Sequence, residues 1–272
     1  MAPRRNRGIT ALLCLAITVA CDAPLEWGRV SPLAGGTTAG RRLVGRTPAH
    51  VALVEVPRSS IALPAGGCPA SVVFAAARAE RYAAWWRARA DSGMTLVVAR
   101  SGNAGREWDA AVVADARDRS NGSCDRPPPA IAADSSSGYV HLAYFLRSAD
   151  GSGVWFTHSM DGGLSWHAPV GITFGDNPAR TAVASLGDTV VVAYEDPSGD
   201  PRRIGIAISR TMGHIFEERL PVTGTEGSAT DPLLLLRPGA IAVAWTSRAG
   251  GADSSASAAL IRWGLIRATP HR

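Results

Sequence analysis

The chain has 272 residues, of which 46% are hydrophobic and 19% charged, so it can bury a large core and does not have the composition of a disordered chain. Its 28 basic residues are all arginine, which excludes a Schiff-base lysine and a Walker-type phosphate-binding lysine. The formal charge of +5 falls to +2 once Arg4, Arg5 and Arg7 are set aside, and a charge that small gives no reason to expect nucleic acid as a partner.

In chain order, Arg4, Arg5 and Arg7 form a basic start. Ile9–Ala20 follows as an apolar run of 12 residues. That is too short to span a membrane and fits the apolar region of an export signal over residues 1–20. Thr18-Val19-Ala20-Cys21 resembles the lipobox of bacterial lipoproteins, which implies lipidation at Cys21. Ordinary cleavage after Ala20 is the alternative. Residues 21–48, with Gly35-Gly36-Thr37-Thr38-Ala39-Gly40, read as a flexible tether, and residues 49–272 as the folded domain. Export would place the protein on the outer side of a bacterial membrane, held by the lipid alone. Cys68 and Cys124 are then the internal cysteines of the mature chain, and an oxidising compartment makes a disulfide their default state.

Glycine (29) and proline (18) are plentiful, which suits short strands and turns. Three segments recur. They begin at Ser101 (SGNAGREW), Ser159 (SMDGGLSW) and Ser209 (SRTMGHIF), 58 and 50 residues apart. An alanine–aromatic pair precedes each: Ala84-Trp85, Ala143-Tyr144 and Ala193-Tyr194. A fourth pair, Ala244-Trp245, follows in the same register. Pro69, Pro129, Pro178 and Pro232 open the units. The second unit reads as four strands, Ala130–Ala133, Val140–Leu146, Val154–His158 and His167–Ile172, with a period of two at Val140, Leu142 and Tyr144. Four-stranded units of about 50 residues point to propeller blades. The fourth unit lacks its outer strand, and His50–Val56 is the spare segment expected to complete it and close the ring. The expected fold is an all-β propeller of about four four-stranded blades, the last closed by an N-terminal strand.

The second segment resembles the Asp-box (BNR) repeat of the sialidase-like propeller superfamily at every defining position, and the pattern covers about residues 69–266. The residues are Ser101, Asn103, Gly105 and Trp108; Ser159, Asp161, Gly163 and Trp166; and Ser209, Gly213 and Phe216. The resemblance implies that these boxes stabilise turns on the face away from any active site. Sialidases of the superfamily use an arginine triad, a Tyr–Glu pair, an aspartic acid and an Arg-Ile-Pro motif. Arg-Ile-Pro is absent here. Tyr194 and Glu195 are neighbours in one strand, so they point to opposite faces.

Arginines recur in the hairpins between second and third strands. Arg89, Arg147, Arg203 and Arg248 are candidates for an anion-binding face, since guanidinium groups bind carboxylates through paired N–H donors. Solvated loop charges are the rival reading. No G-x-S-x-G, H-E-x-x-H or G-x-G-x-x-G motif is present. The six histidines are scattered. His141 and His158 read as packing or surface residues, and no metal or cofactor is expected. Trp85, Tyr144, Tyr194 and Trp245 read as core between blades. Asp196–Asp200 reads as a turn. The leading expectation is a non-catalytic propeller that binds a glycan or protein at the cell envelope. A divergent sialidase-like glycoside hydrolase and an envelope assembly factor are the alternatives.

Overall fold

The computed structural model describes residues 25–56, 61–224, 227–249 and 256–267. The signal segment and Cys21 lie outside the described residues. No helix among the described residues is long and apolar enough to cross a membrane.

Strand β1 (Leu25–Pro32) comes first, then the hairpin β2 (Arg41–Gly45) and β3 (Val51–Glu55). Next are β4 (Val73–Ala77), β5 (Glu80–Ala88), β6 (Met94–Ser101) and β7 (Val112–Asp115). The second unit is β8 (Ala130–Ala133), β9 (Val140–Ser148), β10 (Gly151–Ser159) and β11 (Val170–Phe174). The third is β12 (Thr181–Leu186), β13 (Thr189–Glu195), β14 (Ile204–Ser209) and β15 (Glu218–Pro221). The last is β16 (Ser228–Arg237), β17 (Ala240–Arg248) and β18 (Ser257–Ile266). These strands form five sheets rather than the four expected. Four are four-stranded, and the fifth is the two-stranded β2–β3. Among the described residues no sheet closes on itself. Instead, the strands β2, β4, β8, β12 and β16 contribute residues to the wall of one cavity of about 420 Å³. Each lies at one edge of its sheet. Sheets arranged around a shared axial cavity are the plan of a propeller.

The strand that completes the last sheet also differs from expectation. It is β1, which pairs with β18 from Leu25↔Ile266 to Pro32↔Leu260. His50–Val56 contributes β3 instead, which pairs with β2. The stretch expected to be a tether therefore carries β1 and β2. The physical cause is local. Gly264 has no side chain, and a β-carbon there would lie 2.8 Å from Leu25 and 3.0 Å from Trp27. The space left open receives both side chains. A bulge between Trp27 and Val30 frees the Gly28 carbonyl, which accepts a hydrogen bond from Arg262 Nε at 3.0 Å.

The second strand of each four-stranded unit is buried on both faces, because each sheet has neighbours on either side. In β9 the residues from Val140 through Leu146 are all buried. The period of two at Val140, Leu142 and Tyr144 thus separates two buried faces, and does not separate core from solvent. Trp85, Tyr144, Tyr194 and Trp245 are all buried, one per four-stranded sheet; the clusters of Tyr144, Tyr194 and Trp245 join adjacent sheets, whereas Trp85 packs within the first sheet and against Ile61 and Leu63.

Candidate functional site

The chain alternates direction, so the two ends of the ring differ. One end carries the three boxes, after β6, β10 and β14. The other carries the β5–β6, β9–β10, β13–β14 and β17–β18 hairpins and the links between sheets.

The boxes are closed hydrogen-bonded turns. Ser159 Oγ donates to Asp161 Oδ1 (2.7 Å) and accepts from the Gly163 amide (2.7 Å). Asp161 Oδ1 accepts from the Leu164 and Ser165 amides at 3.0 and 2.9 Å. Ser165 Oγ donates to Asp161 Oδ2 at 2.5 Å. That hydroxyl is the main reason the Asp161 carboxyl is held down at about 2. In the first box Ser101 Oγ accepts from the Gly105 amide (2.9 Å) and Asn103 Oδ1 from the Glu107 amide (2.9 Å). In the third, Thr211 replaces the acid, and its hydroxyl accepts from the Ile215 amide (2.9 Å). Two successive residues are left-handed in every box: Ala104-Gly105, Gly162-Gly163 and Met212-Gly213. The bonds hold alanine and methionine in a conformation usually left to glycine. Trp108 packs with Phe74 and Phe216 with Phe156, at centroid distances of 6.0 and 4.8 Å, and Trp166 packs against the cluster of Ala77, Tyr82 and Val140.

At the hairpin end, the four candidate arginines do not meet in the axial cavity. None of them lines it; Arg41, Arg42 and Arg180 do, together with Asp231. Arg180 Nε is paired with Asp231 at 3.0 Å, and Arg41 Nε with Glu55 at 3.1 Å. Arg248 is exposed, with Nε 3.3 Å from Ser257 Oγ, and Arg203 lies partly buried in the β13–β14 hairpin.

Arg89 and Arg147, by contrast, flank one loop, residues 116–126, which links β7 to β8. On one side of it lies a groove of about 770 Å³ between the first two four-stranded sheets. Its walls include Arg89, Asp91, Arg117, Arg119, Asn121 and Asp150. Arg147 lines a smaller pocket of about 50 Å³ on the other side, sharing Ser120 and Asn121 with the groove. Arg89 is held by two parallel bonds to Asp91, at 2.9 and 3.0 Å, and by the Ala116 carbonyl. The bonds to Asp91 hold the Arg89 charge up and the Asp91 carboxyl down. Arg117 bridges Asp115 (2.9 Å) and Asp150 (3.1 Å) and lies 4.4 Å over the Trp155 ring. Partial burial works against its charge, but the Asp115 bonds outweigh that and hold it up. Tyr144 Oη donates to Asp115 Oδ2 at 2.7 Å from beneath.

The exposed Arg119 guanidinium has no hydrogen bond or ion pair among the described residues; only its amide is used, donating to the Arg147 carbonyl at 2.8 Å. Arg117 and Arg119 escaped notice in the sequence because they sit in a link between units, outside the recurring register. Each carboxyl group whose titration is displaced, Glu80, Asp91, Asp134 and Asp161, is displaced downward. Such groups are ionised near neutrality and make poor general acids. Glu195 and Tyr194 are both buried, and Glu195 is engaged by Arg202 at 2.6 Å.

Cys68 and Cys124 are joined by a disulfide, with Cα atoms 5.4 Å apart. It ties the start of the first four-stranded unit to the 116–126 loop.

At the box end, three histidines that lie scattered in the sequence gather, among them His158, expected to be a packing or surface residue. His158 precedes the second box, His167 follows it, and His214 lies inside the third. The His158 and His167 rings stack at 4.4 Å, and His158 meets His214 edge-on at 4.5 Å. His158 is pulled down to about 4 by burial and by its two histidine neighbours. His141, behind it, is pulled down to about 3, mainly by burial.

No family model and no curated protein matches the chain. Solved structures do. A protein of unknown function from Dyadobacter fermentans is similar at 16% identity and a TM-score of 0.50, over 69% of this chain and 50% of that one. The phage phi92 endosialidase matches at 11% identity and TM-score 0.49, over 91% of this chain and 48% of its own. An exo-1,5-alpha-L-arabinanase from a bovine ruminal metagenomic library matches at 9% identity and TM-score 0.48, over 91% and 97%. The chain spans about half the length of the first two. At these identities the likeness is one of fold alone.

Proposed function

We propose that this chain is an exported, lipid-anchored propeller that binds an acidic glycan without cleaving it, in the groove beside the 116–126 loop. One observation carries this reading: the exposed Arg119 guanidinium, without a partner among the described residues, stands in a polar groove of about 770 Å³. Arg89 and Arg117 are fixed there by ion pairs, so Arg119 is the group left to take a ligand carboxylate or sulfate. Asn121, Ser120 and Ser148 supply hydroxyl-compatible donors and acceptors around it. The disulfide supports an oxidising compartment, and with it export.

The test is a glycan array probed with the full chain, followed by calorimetry with sialyllactose and an oligouronate. Acidic glycans bind, neutral ones do not, and Arg119→Ala weakens binding by about tenfold or more, the worth of a charge-assisted hydrogen bond. Binding that ignores Arg119→Ala sinks the proposed site. Turnover of a fluorogenic sialoside would favour a hydrolase instead. Mass analysis of Cys21 in protein from membranes checks the anchor.

A further inference from the structure

We propose that His158, His167 and His214 form a binding site for a divalent transition-metal ion of zinc's class, at the seam between the second and third four-stranded sheets. The side-chain nitrogens that would serve lie within 4.8 Å of one another. A tetrahedral zinc site, with bonds of about 2.0–2.1 Å, asks for separations of about 3.4 Å. The difference is small. His167 and His214 are exposed, so modest turns of their rings close it.

The backbone fixes two of the three from one hairpin. The His167 amide donates to the His158 carbonyl at 3.0 Å, and Thr157 Oγ1 donates to the His167 carbonyl at 2.6 Å. The third comes from the neighbouring box. The Gly213 amide is held by Ser209 Oγ (3.0 Å) and the His214 amide by the Thr211 carbonyl (3.0 Å). A cavity of about 210 Å³ is lined by all three histidines.

A second observation points to a ligand. His158 is 4% exposed, and its Nε2 is buried without a hydrogen-bond partner. A buried imidazole nitrogen with nothing to bond is costly, and a metal ion would satisfy it. Three neutral nitrogens and no carboxylate favour zinc, nickel or copper over calcium or magnesium. Three protein ligands leave a fourth position for solvent or an incoming ligand. His141 packs behind, 6.3 Å from His158, against Phe156, and Tyr139 stacks on the His158 ring at 5.9 Å. They form the wall that orients His158. The ion would clip the second and third box hairpins together.

The experiment titrates Zn²⁺ into the full chain, purified through a streptavidin-binding tag so that no polyhistidine interferes. Calorimetry is expected to give one equivalent, and Co²⁺ the intense visible bands of a tetrahedral site. His167→Ala and His214→Ala, both at exposed positions, each weaken binding by about tenfold or more, while His50→Ala leaves it unchanged. Zn²⁺ also raises the midpoint of thermal unfolding in the parent chain and not in the His167→Ala/His214→Ala double variant. The proposal is overturned by an absence of stoichiometric binding, or by binding that the double variant retains.

Discussion

Replacing Asp118 by asparagine strips the charge from one half of a buried ion pair and leaves the shape. The Asp118 and Arg126 side chains are only 1% and 9% exposed, and they pair through Oδ2 and Nη2. Asp118 Oδ1 also accepts from the Ser120 amide at 2.6 Å, a bond that asparagine can keep. Arg126 lies 3.9 Å over the Trp86 ring, donates to Ser120 Oγ at 3.0 Å, and has an unpartnered Nε. Burial already pulls the Arg126 guanidinium down, with Asp118 pushing back. An uncompensated buried charge costs about 3–5 kcal/mol. With a urea slope of about 2–3 kcal/mol/M, the unfolding midpoint falls by about 1.5 M. The cation–π contact with Trp86 is present before and after the change and so does not offset the loss. In Asp118→Asn/Arg126→Met the stranded charge is gone, and most of the stability returns. A cost below about 1 kcal/mol for Asp118→Asn, the value of a surface pair, would refute the reasoning.

In the second box, Asp161→Ala removes the acceptor for two amides and two hydroxyls and costs about 1–2 kcal/mol at neutral pH. Asp161→Asn keeps Oδ1, as Asn103 does in the first box, and costs less than half as much by urea denaturation. Because the folded carboxyl is lowered to about 2, its contribution is full above the unfolded value of about 4 and fades as pH falls toward 2. Asp161→Asn should therefore flatten the acid limb of the stability curve, and an unchanged limb counts against the role given to Ser165. Gly213→Ala places a β-carbon 2.6 Å from Phe156 at a φ of +91°, and the cost is about 2–4 kcal/mol. Gly163→Ala meets nothing closer than 3.6 Å and loses only the backbone part, about 1–2 kcal/mol, so equal losses would discredit the Phe156 contact. Reducing the Cys68–Cys124 bond releases a loop with a sequence separation of 56, worth about 4 kcal/mol by chain entropy, and thermal scans with and without reductant measure it.

How much of this was legible in the sequence depends on the range of the interactions. A box closes its own bonds within a few residues, from Ser159 to Ser165, so its pattern survives as a string. The pairing of β1 with β18 joins residues more than 200 positions apart, and the glycines around it resemble those of a tether. The β2–β3 sheet has two strands of five residues and no box, so nothing repeats to announce it. The histidines were visible singly. Their signal was positional: His158 and His167 bracket one box, and His214 sits inside the next. Only the packing of one sheet against another makes these places adjacent.

The same geometry explains why the recurring arginines do not meet on the axis. Residues that recur in register stand at equivalent points on successive blades. A ring of blades carries such points around its circumference and does not bring them together. Convergence needs one of two places. The first is the axis, where the starts of the innermost strands deliver Arg42, Arg180 and Asp231 to one cavity. The second is a seam, where the late part of one blade meets the early part of the next. The groove at Arg119 is a seam: its walls come from the β5–β6 hairpin, the β7–β8 link and the β9–β10 hairpin. The histidine cluster is another, built from adjacent boxes at the opposite end. In both, the decisive residues break the repeat. Arg119 lies in a link of irregular length, and His214 holds a box position occupied by Arg106 and Leu164 in the other two. In a repeat protein of this kind, recurrence marks what builds the ring, and departures from it at the seams mark where chemistry can gather.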